Sequence, residues 1–137
     1  MANVSATSDY ITGNWTNQLG SNVTFKCSDG IITGTYNTAV VSNKNKNEIP
    51  PPTPLYGTYQ NVLDGILLTF AVQWKFQNFK TGEYVYSTTT WNGKFYLSDL
   101  NNFKTLWILR SNTNKLEEWS GFMVNQDIFT RVTNLIN

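Results

Sequence analysis

Leu67-Leu68-Thr69-Phe70-Ala71-Val72-Gln73-Trp74-Lys75-Phe76 carries the clearest period-two pattern in the chain. Phe70, Val72, Trp74 and Phe76 fall on one face, and Ala71, Gln73 and Lys75 on the other, as in a strand with one buried side. The same alternation recurs on both sides of it. Downstream, Thr81-Gly82 predicts a turn and Tyr84 to Tyr96 a strand, with Asn92-Gly93 as a candidate kink. Phe103 to Ser111 predicts another, with Thr105, Trp107, Leu109 and Ser111 in phase; beyond a turn at Asn112 to Asn114, a last strand is expected from Trp119 to Val132. Upstream, Leu55 to Gln60 reads as a short strand, and Ile31 to Ala39 as a longer one in which Ile32, Gly34, Tyr36 and Thr38 share a face. Asn22 to Ser28 precedes the hairpin signal Asp29-Gly30. The first strand lies in Ile11 to Ser21, with Trp15, Asn17 and Leu19 on the expected inner face and Thr16 and Gln18 on the other.

Eight strand-like runs, each bounded by turn chemistry and with no convincing amphipathic helix, predict an all-β fold. An antiparallel meander of eight strands closes most economically as an up-and-down β-barrel, which has no edges and leaves room inside for side chains or one small ligand. The barrel domain is expected over residues 10–132, between a loose N-terminal segment at 1–9 and a C-terminal tail at 133–137. Residues 41–54 are polar and then proline-rich, so they predict an exposed loop. That loop reads either as a surface insertion or as a lid over a barrel mouth.

Composition narrows the function. The chain has 137 residues, 40% of them hydrophobic and only 14% charged, which is a globular composition with enough length for one core. A net charge of +1 without a basic block argues against nucleic acid and anionic membranes as partners. No apolar run approaches the roughly 20 residues of a membrane span. Met1-Ala2-Asn3-Val4-Ser5 lacks the apolar core of a signal peptide. It reads as a cytosolic start or, in preference, as a mature secreted chain with an added start codon. Asn3, Asn14 and Asn22 each begin a glycosylation sequon, with Asn22 favoured if the protein is secreted. Cys27 stands alone, so no internal disulfide is possible.

There is no histidine, which removes the His-based triads, the common zinc sites and the usual general base. Asp9, Asp29, Asp64, Glu83, Asp99, Glu117 and Glu118 sit in turn-like positions, and no inner pair of acids is expected. The chain therefore reads as a binding protein without catalytic residues, metal or cofactor.

The inner faces are unusually polar. In Ser87-Thr88-Thr89-Thr90-Trp91, two hydroxyls share a face with tryptophan; Asn17 accompanies Trp15, Tyr36 accompanies Thr38, and Thr105 and Ser111 accompany Trp107. A buried carboxamide or hydroxyl needs a hydrogen-bond partner, supplied by the protein or by a ligand. One such mixture is commonly a satisfied core bond. Several together, in a chain with five tryptophans, match the anatomy of a small-molecule pocket with aromatic walls and a few placed polar groups.

Six stretches in order carry a family likeness: Gly13 to Ser21, Gly34 to Val40, Val72 to Phe76, Ser87 to Gly93, Lys104 to Ser111, and Asp127 to Arg131. They resemble the avidin family of biotin-binding proteins, over about residues 10–132. Asn22-Val23-Thr24, Trp74-Lys75-Phe76 and Leu109-Arg110-Ser111 are nearer the animal avidins; Ser87 to Gly93 and Asp127 are nearer the bacterial streptavidins. The resemblance implies high-affinity, non-catalytic biotin binding in a preformed pocket. It implies that Asn17, Ser21 and Tyr36 donate to the ureido oxygen, and that Thr38 and Asp127 accept the two ureido N–H groups. Thr89 would approach the sulfur, while Ser87 and the loop at Val41 and Ser42 would reach the tail carboxylate. Trp74, Trp91 and Trp107 would wall the ring and chain, with Phe76 and Leu109 beside them. Trp119 would be lent to the neighbouring subunit's site, implying a homotetramer. Two departures stand out: Cys27 cannot form the disulfide common in animal members, and the loop carrying Lys44 and Lys46 is longer than in streptavidins. The alternative is a barrel of the same shape that takes a lipid or a sugar.

Overall fold

In the computed structural model, which describes residues 10–39, 52–78 and 80–133, the alternating runs become strands of one sheet. They are β1 (Gly13–Asn17), β2 (Asn22–Ser28), β3 (Ile31–Asn37), β4 (Thr53–Val62), β5 (Gly65–Gln77), β6 (Tyr84–Tyr96), β7 (Asn102–Ser111) and β8 (Phe122–Arg131). Each pairs antiparallel with the next, and β8 returns to pair with β1, so the sheet closes as the expected eight-stranded barrel. Asp29 and Gly30 both have positive φ, 51° and 80°, which lets a two-residue turn join β2 to β3 without splaying them. In β5 the inner residues Ile66, Leu68, Phe70, Val72 and Trp74 are all buried, as the alternation requires.

The barrel is filled at one pole and hollow toward the other. At the filled pole Trp15, buried completely, meets Phe103 edge-on at 4.9 Å, and Phe103 stacks on Phe129 at 5.2 Å. The Trp15 Nε1–H donates to Ile11 O at 2.9 Å, and the Arg131 guanidinium covers the indole face at 4.3 Å. Each such fully buried ring contributes roughly 2 kcal/mol from area removed from water. β1 enters and β8 leaves at this pole, where Arg131 donates to Tyr10 O. Gly34 faces inward on β3 opposite Phe25 and Leu55, and a Cβ built on it would lie 1.8 Å from Thr24 O.

Several expectations are corrected. β1 stops at Asn17, so Leu19 lies in a turn and is 57% exposed rather than on the inner wall of a strand. β6 runs through Asn92-Gly93 without interruption; Gly93 lets the Lys104 backbone approach and does not kink the strand. β4 begins at Thr53, so Pro54 belongs to a strand; it pairs only with Thr35 on β3, before the β5 ladder starts at Leu55, and no donor is lost. β8 starts at Phe122 rather than Trp119, because Lys115–Ser120 forms a 3₁₀ turn too short to carry an amphipathic period. Trp119 sits on that turn, not at the head of a strand. Segment 1–9, Val41, Ser42, Lys44 and Lys46 of the predicted loop, and tail residues 134–137 lie outside the described residues.

Candidate functional site

Strand parity delivers the site. Trp74 and Phe76 on β5, Ser87, Thr89 and Trp91 on β6, Trp107 and Leu109 on β7, and Asp127 on β8 all point inward at the hollow pole. Cross-strand rungs join them: Trp91 pairs with Trp107, Thr89 with Leu109, and Thr105 with Asp127. Asn17 ends β1, Ser21 follows its turn, and Tyr36 on β3 and Thr38 just past the end of that strand close the ring. Together they line a cavity of about 370 Å³, within the range of small-molecule sites.

The walls are aromatic and mutually packed. Tyr36 stacks on Trp91 at 5.1 Å and meets Trp74 edge-on at 5.2 Å, while Phe70 stacks beneath Trp91 at 4.8 Å. Trp74 and Phe76 stack at 5.6 Å nearer the mouth. Rings fixed against one another need little further ordering when a ligand enters.

The polar groups concentrate at the deep end, and their orientations are determined. Asn17 Oδ1 accepts from the Leu19 and Ser21 amides at 3.1 and 3.0 Å. That bond pair satisfies the turn and leaves the amide nitrogen directed inward, where it donates to Tyr36 Oη at 3.2 Å. Ser21 Oγ accepts from the Ala39 amide at 3.0 Å, so its own proton remains available to donate. The Asp127 carboxylate is buried and accepts from Trp91 Nε1 at 3.0 Å and Gln18 Nε2 at 2.8 Å, with Asn17 Nδ2 at 3.5 Å. A carboxylate offers about four acceptor positions, so it can take one further N–H. Trp74 Nε1 donates to Thr89 Oγ1 at 2.8 Å, which uses one of that hydroxyl's two lone pairs and orients it.

Burial pushes the Tyr36 phenol up to about 12; the neighbouring Asp127 charge adds to the rise, while Ser21 and Asn17 hydrogen bonds oppose it. Tyr36 is therefore a donor at every physiological pH. The fold favours its protonated form, so the stability it contributes is complete below its ordinary value of 10.0 and is lost as pH rises toward about 12. Urea titrations across that interval should show about 2–3 kcal/mol more loss in the wild type than in Tyr36→Phe.

The structure thus brings together every predicted site residue among those described, except Trp119, which is 85% exposed on the outer surface. Val41 and Ser42 lie outside the described residues. Sequence reasoning missed Met123 and Asn125, which line the cavity four and two residues before Asp127 on its own face. It also missed Gln18, assigned outward by parity. Where β1 ends, the Gln18 side chain continues the seam: Oε1 accepts from the Ile128 amide at 2.9 Å, and Nε2 donates to Gln126 O at 3.2 Å as well as to Asp127. It therefore ties barrel closure to the position of the cavity's carboxylate. Thr105 is no site residue; its hydroxyl donates to Asp127 O at 3.2 Å within the wall.

Comparison with known proteins agrees with this geometry. The sequence profile of the avidin family matches residues 5–132. Avidin of Gallus gallus is 38% identical over 130 residues, covering 89% of this chain and 78% of its own. Avidin-related protein 4/5 of Gallus gallus is 34% identical over 128 residues, covering 89% and 77%. Among solved structures, xenavidin matches with a TM-score of 0.71 at 29% identity, over 89% of this chain and 97% of that one. The biotin binding protein from chicken matches with a TM-score of 0.73 at 28% identity, over 90% and 96%.

Proposed function

Because the chain belongs to the avidin family, we propose that its cavity binds biotin tightly and without chemical change, in a homotetramer whose neighbouring subunit lends Trp119 to each site. The observation that carries this reading is the convergence of Asn17, Ser21, Tyr36 and Asp127 at the deep end of an aromatic-walled cavity. A cyclic urea presents one carbonyl oxygen and two N–H groups in a plane. Asn17 Nδ2, the Ser21 hydroxyl and the protonated Tyr36 phenol supply donors for the oxygen. Three donors on one carbonyl draw charge onto it, so each bond becomes partly charge-assisted. Thr38 and Asp127 supply acceptors for the N–H groups, and Thr89 faces the sulfur. Trp74, Trp91 and Trp107 enclose the apolar parts, with Phe76 and Leu109 beside them, and Ser87 meets the valerate tail at the rim. A lone carboxylate held by N–H donors is arranged to accept hydrogen bonds, which supports binding rather than hydrolysis.

Assembly is supported by the outer face. Leu106, Ile108, Phe122 and Val124 are exposed on adjoining strands β7 and β8, where Ile108 pairs with Val124. A contiguous apolar patch of that kind marks an interface. The same reading makes this a secreted protein, with Asn22, exposed at the start of β2, open to a glycan.

Titration with biotin should quench tryptophan fluorescence at one ligand per chain, and desthiobiotin should compete where a fatty acid or a sugar does not. Absence of both quenching and a thermal shift in excess biotin would overturn the reading; competition by the fatty acid or sugar alone would establish the alternative ligand class. Trp119→Lys should both dissociate the assembly on size exclusion and speed biotin release by roughly tenfold or more, since it places a charge at a desolvated contact. No change in either measurement would remove the shared site.

A further inference from the structure

We propose that Arg110 and Gly121 form a latch that sets the position of the Trp119 arm, making Arg110 a positioning residue for ligand release although it faces away from the cavity. The inference rests on the reading of Trp119 as a residue lent to a neighbouring site. The 3₁₀ turn that bears Trp119 buries none of its residues, so core packing does not hold it. Its root is closed by the Ser111 amide donating to Gly121 O at 2.7 Å, and its start by Asn114, whose side chain accepts from the Glu117 amide. Between these ends, Arg110 is the anchor. Its Nη1 donates to Glu118 O at 3.0 Å, its Nη2 lies 3.6 Å from Glu118 Oε1, and its guanidinium sits 4.6 Å from the Phe122 ring centre. The fork therefore grips the residue immediately before Trp119 by both backbone and side chain, a geometry that an ammonium cannot reproduce.

Gly121 supplies an independent sign. Its φ of −76° and ψ of −8° suit any amino acid, so backbone conformation does not call for glycine. A Cβ there would instead lie 2.1 Å from Arg110 Nη1 and 2.9 Å from Cζ. The guanidinium occupies the space that a side chain would fill. Alanine at this position would leave the backbone unstrained and displace the arginine.

The test uses the full-length protein in two measurements. In a chase with excess unlabelled biotin, Arg110→Ala and Gly121→Ala should each speed release about tenfold, and Arg110→Lys should not restore the wild-type rate. In a Trp119→Ala background, each should change release less than twofold, because the arm no longer carries the ring. Equal acceleration in both backgrounds overturns the latch. In ligand-free protein, Arg110→Ala should raise hydrogen exchange over residues 115–121 about tenfold and leave β5 and β6 unchanged. Unchanged exchange overturns the latch whether or not biotin binds. Raised exchange in a protein that binds no biotin would retain the latch and remove the pocket's ligand assignment instead.

Discussion

Asp127→Ala should weaken biotin binding by roughly two to three orders of magnitude, while Ser87→Ala should cost less than tenfold. The difference follows from position. Asp127 is 3% exposed and its carboxylate accepts from Trp91 and Gln18, so its charge is already desolvated and aimed into the cavity. Removing one partner of a buried charge-assisted bond costs about 2–5 kcal/mol, and each 1.4 kcal/mol is a factor of ten in affinity. The substitution also strands the buried Trp91 N–H, which lowers stability by about 1–3 kcal/mol in the free protein. Ser87 lies nearer the mouth, half-buried, where water can replace a lost hydrogen bond. Asp127→Asn keeps an acceptor and loses the charge, so its affinity should fall between the two. Calorimetric displacement titrations would resolve the order; equal losses for Asp127→Ala and Ser87→Ala would contradict the roles assigned to them.

The second large effect concerns folding rather than affinity. Gly34→Ala should destabilise the barrel by about 3 kcal/mol or more, up to complete failure to fold. The added Cβ would sit 1.8 Å from Thr24 O and 2.9 Å from Thr24 C, and both are backbone atoms of the adjoining strand. A flexible side chain could swing away from such a clash, but a backbone held in the β2–β3 ladder cannot move without breaking rungs on both sides of Gly34. Gly82→Ala is the control. Gly82 has φ 73° but nothing within 4 Å of its built Cβ, so alanine there costs only the left-handed conformation, about 1 kcal/mol. Denaturant unfolding of the two variants separates close approach from conformational strain. Equal, small losses would contradict the close approach of β2 and β3 at Gly34.

Much of the site was legible because a barrel obeys parity. Once Trp91 was placed inward, Thr89 and Ser87 had to follow, and Asp127 implied the inner face of β8. Met123 and Asn125 were available from that same rule, two residues at a time. Gln18 was not, because parity stops where a strand stops: β1 ends at Asn17, and the next side chain folds across the seam instead of standing out from the sheet. The orientation of the Asn17 amide was also beyond the sequence, since it depends on which way the turn amides of Leu19 and Ser21 point. The 3₁₀ turn does carry a sign in the sequence, Asn114 followed three residues later by Glu117, but a capping pattern without an apolar period after it looks the same as a plain turn. The roles proposed for Thr38, half-buried, and Thr89, buried, rest on the family likeness alone, because no periodicity distinguishes them from other inward hydroxyls.

The closure of β8 on β1 also has a practical meaning. The backbone enters and leaves at the sealed pole, where Arg131 reaches Tyr10 and the Val132 amide donates to Asn14 O at 2.9 Å, while Leu19, Phe76 and Met123 ring the opposite opening. A bead, a tether or a fused protein joined next to Tyr10 or beyond Val132 would therefore attach at the base, on the side away from the doorway.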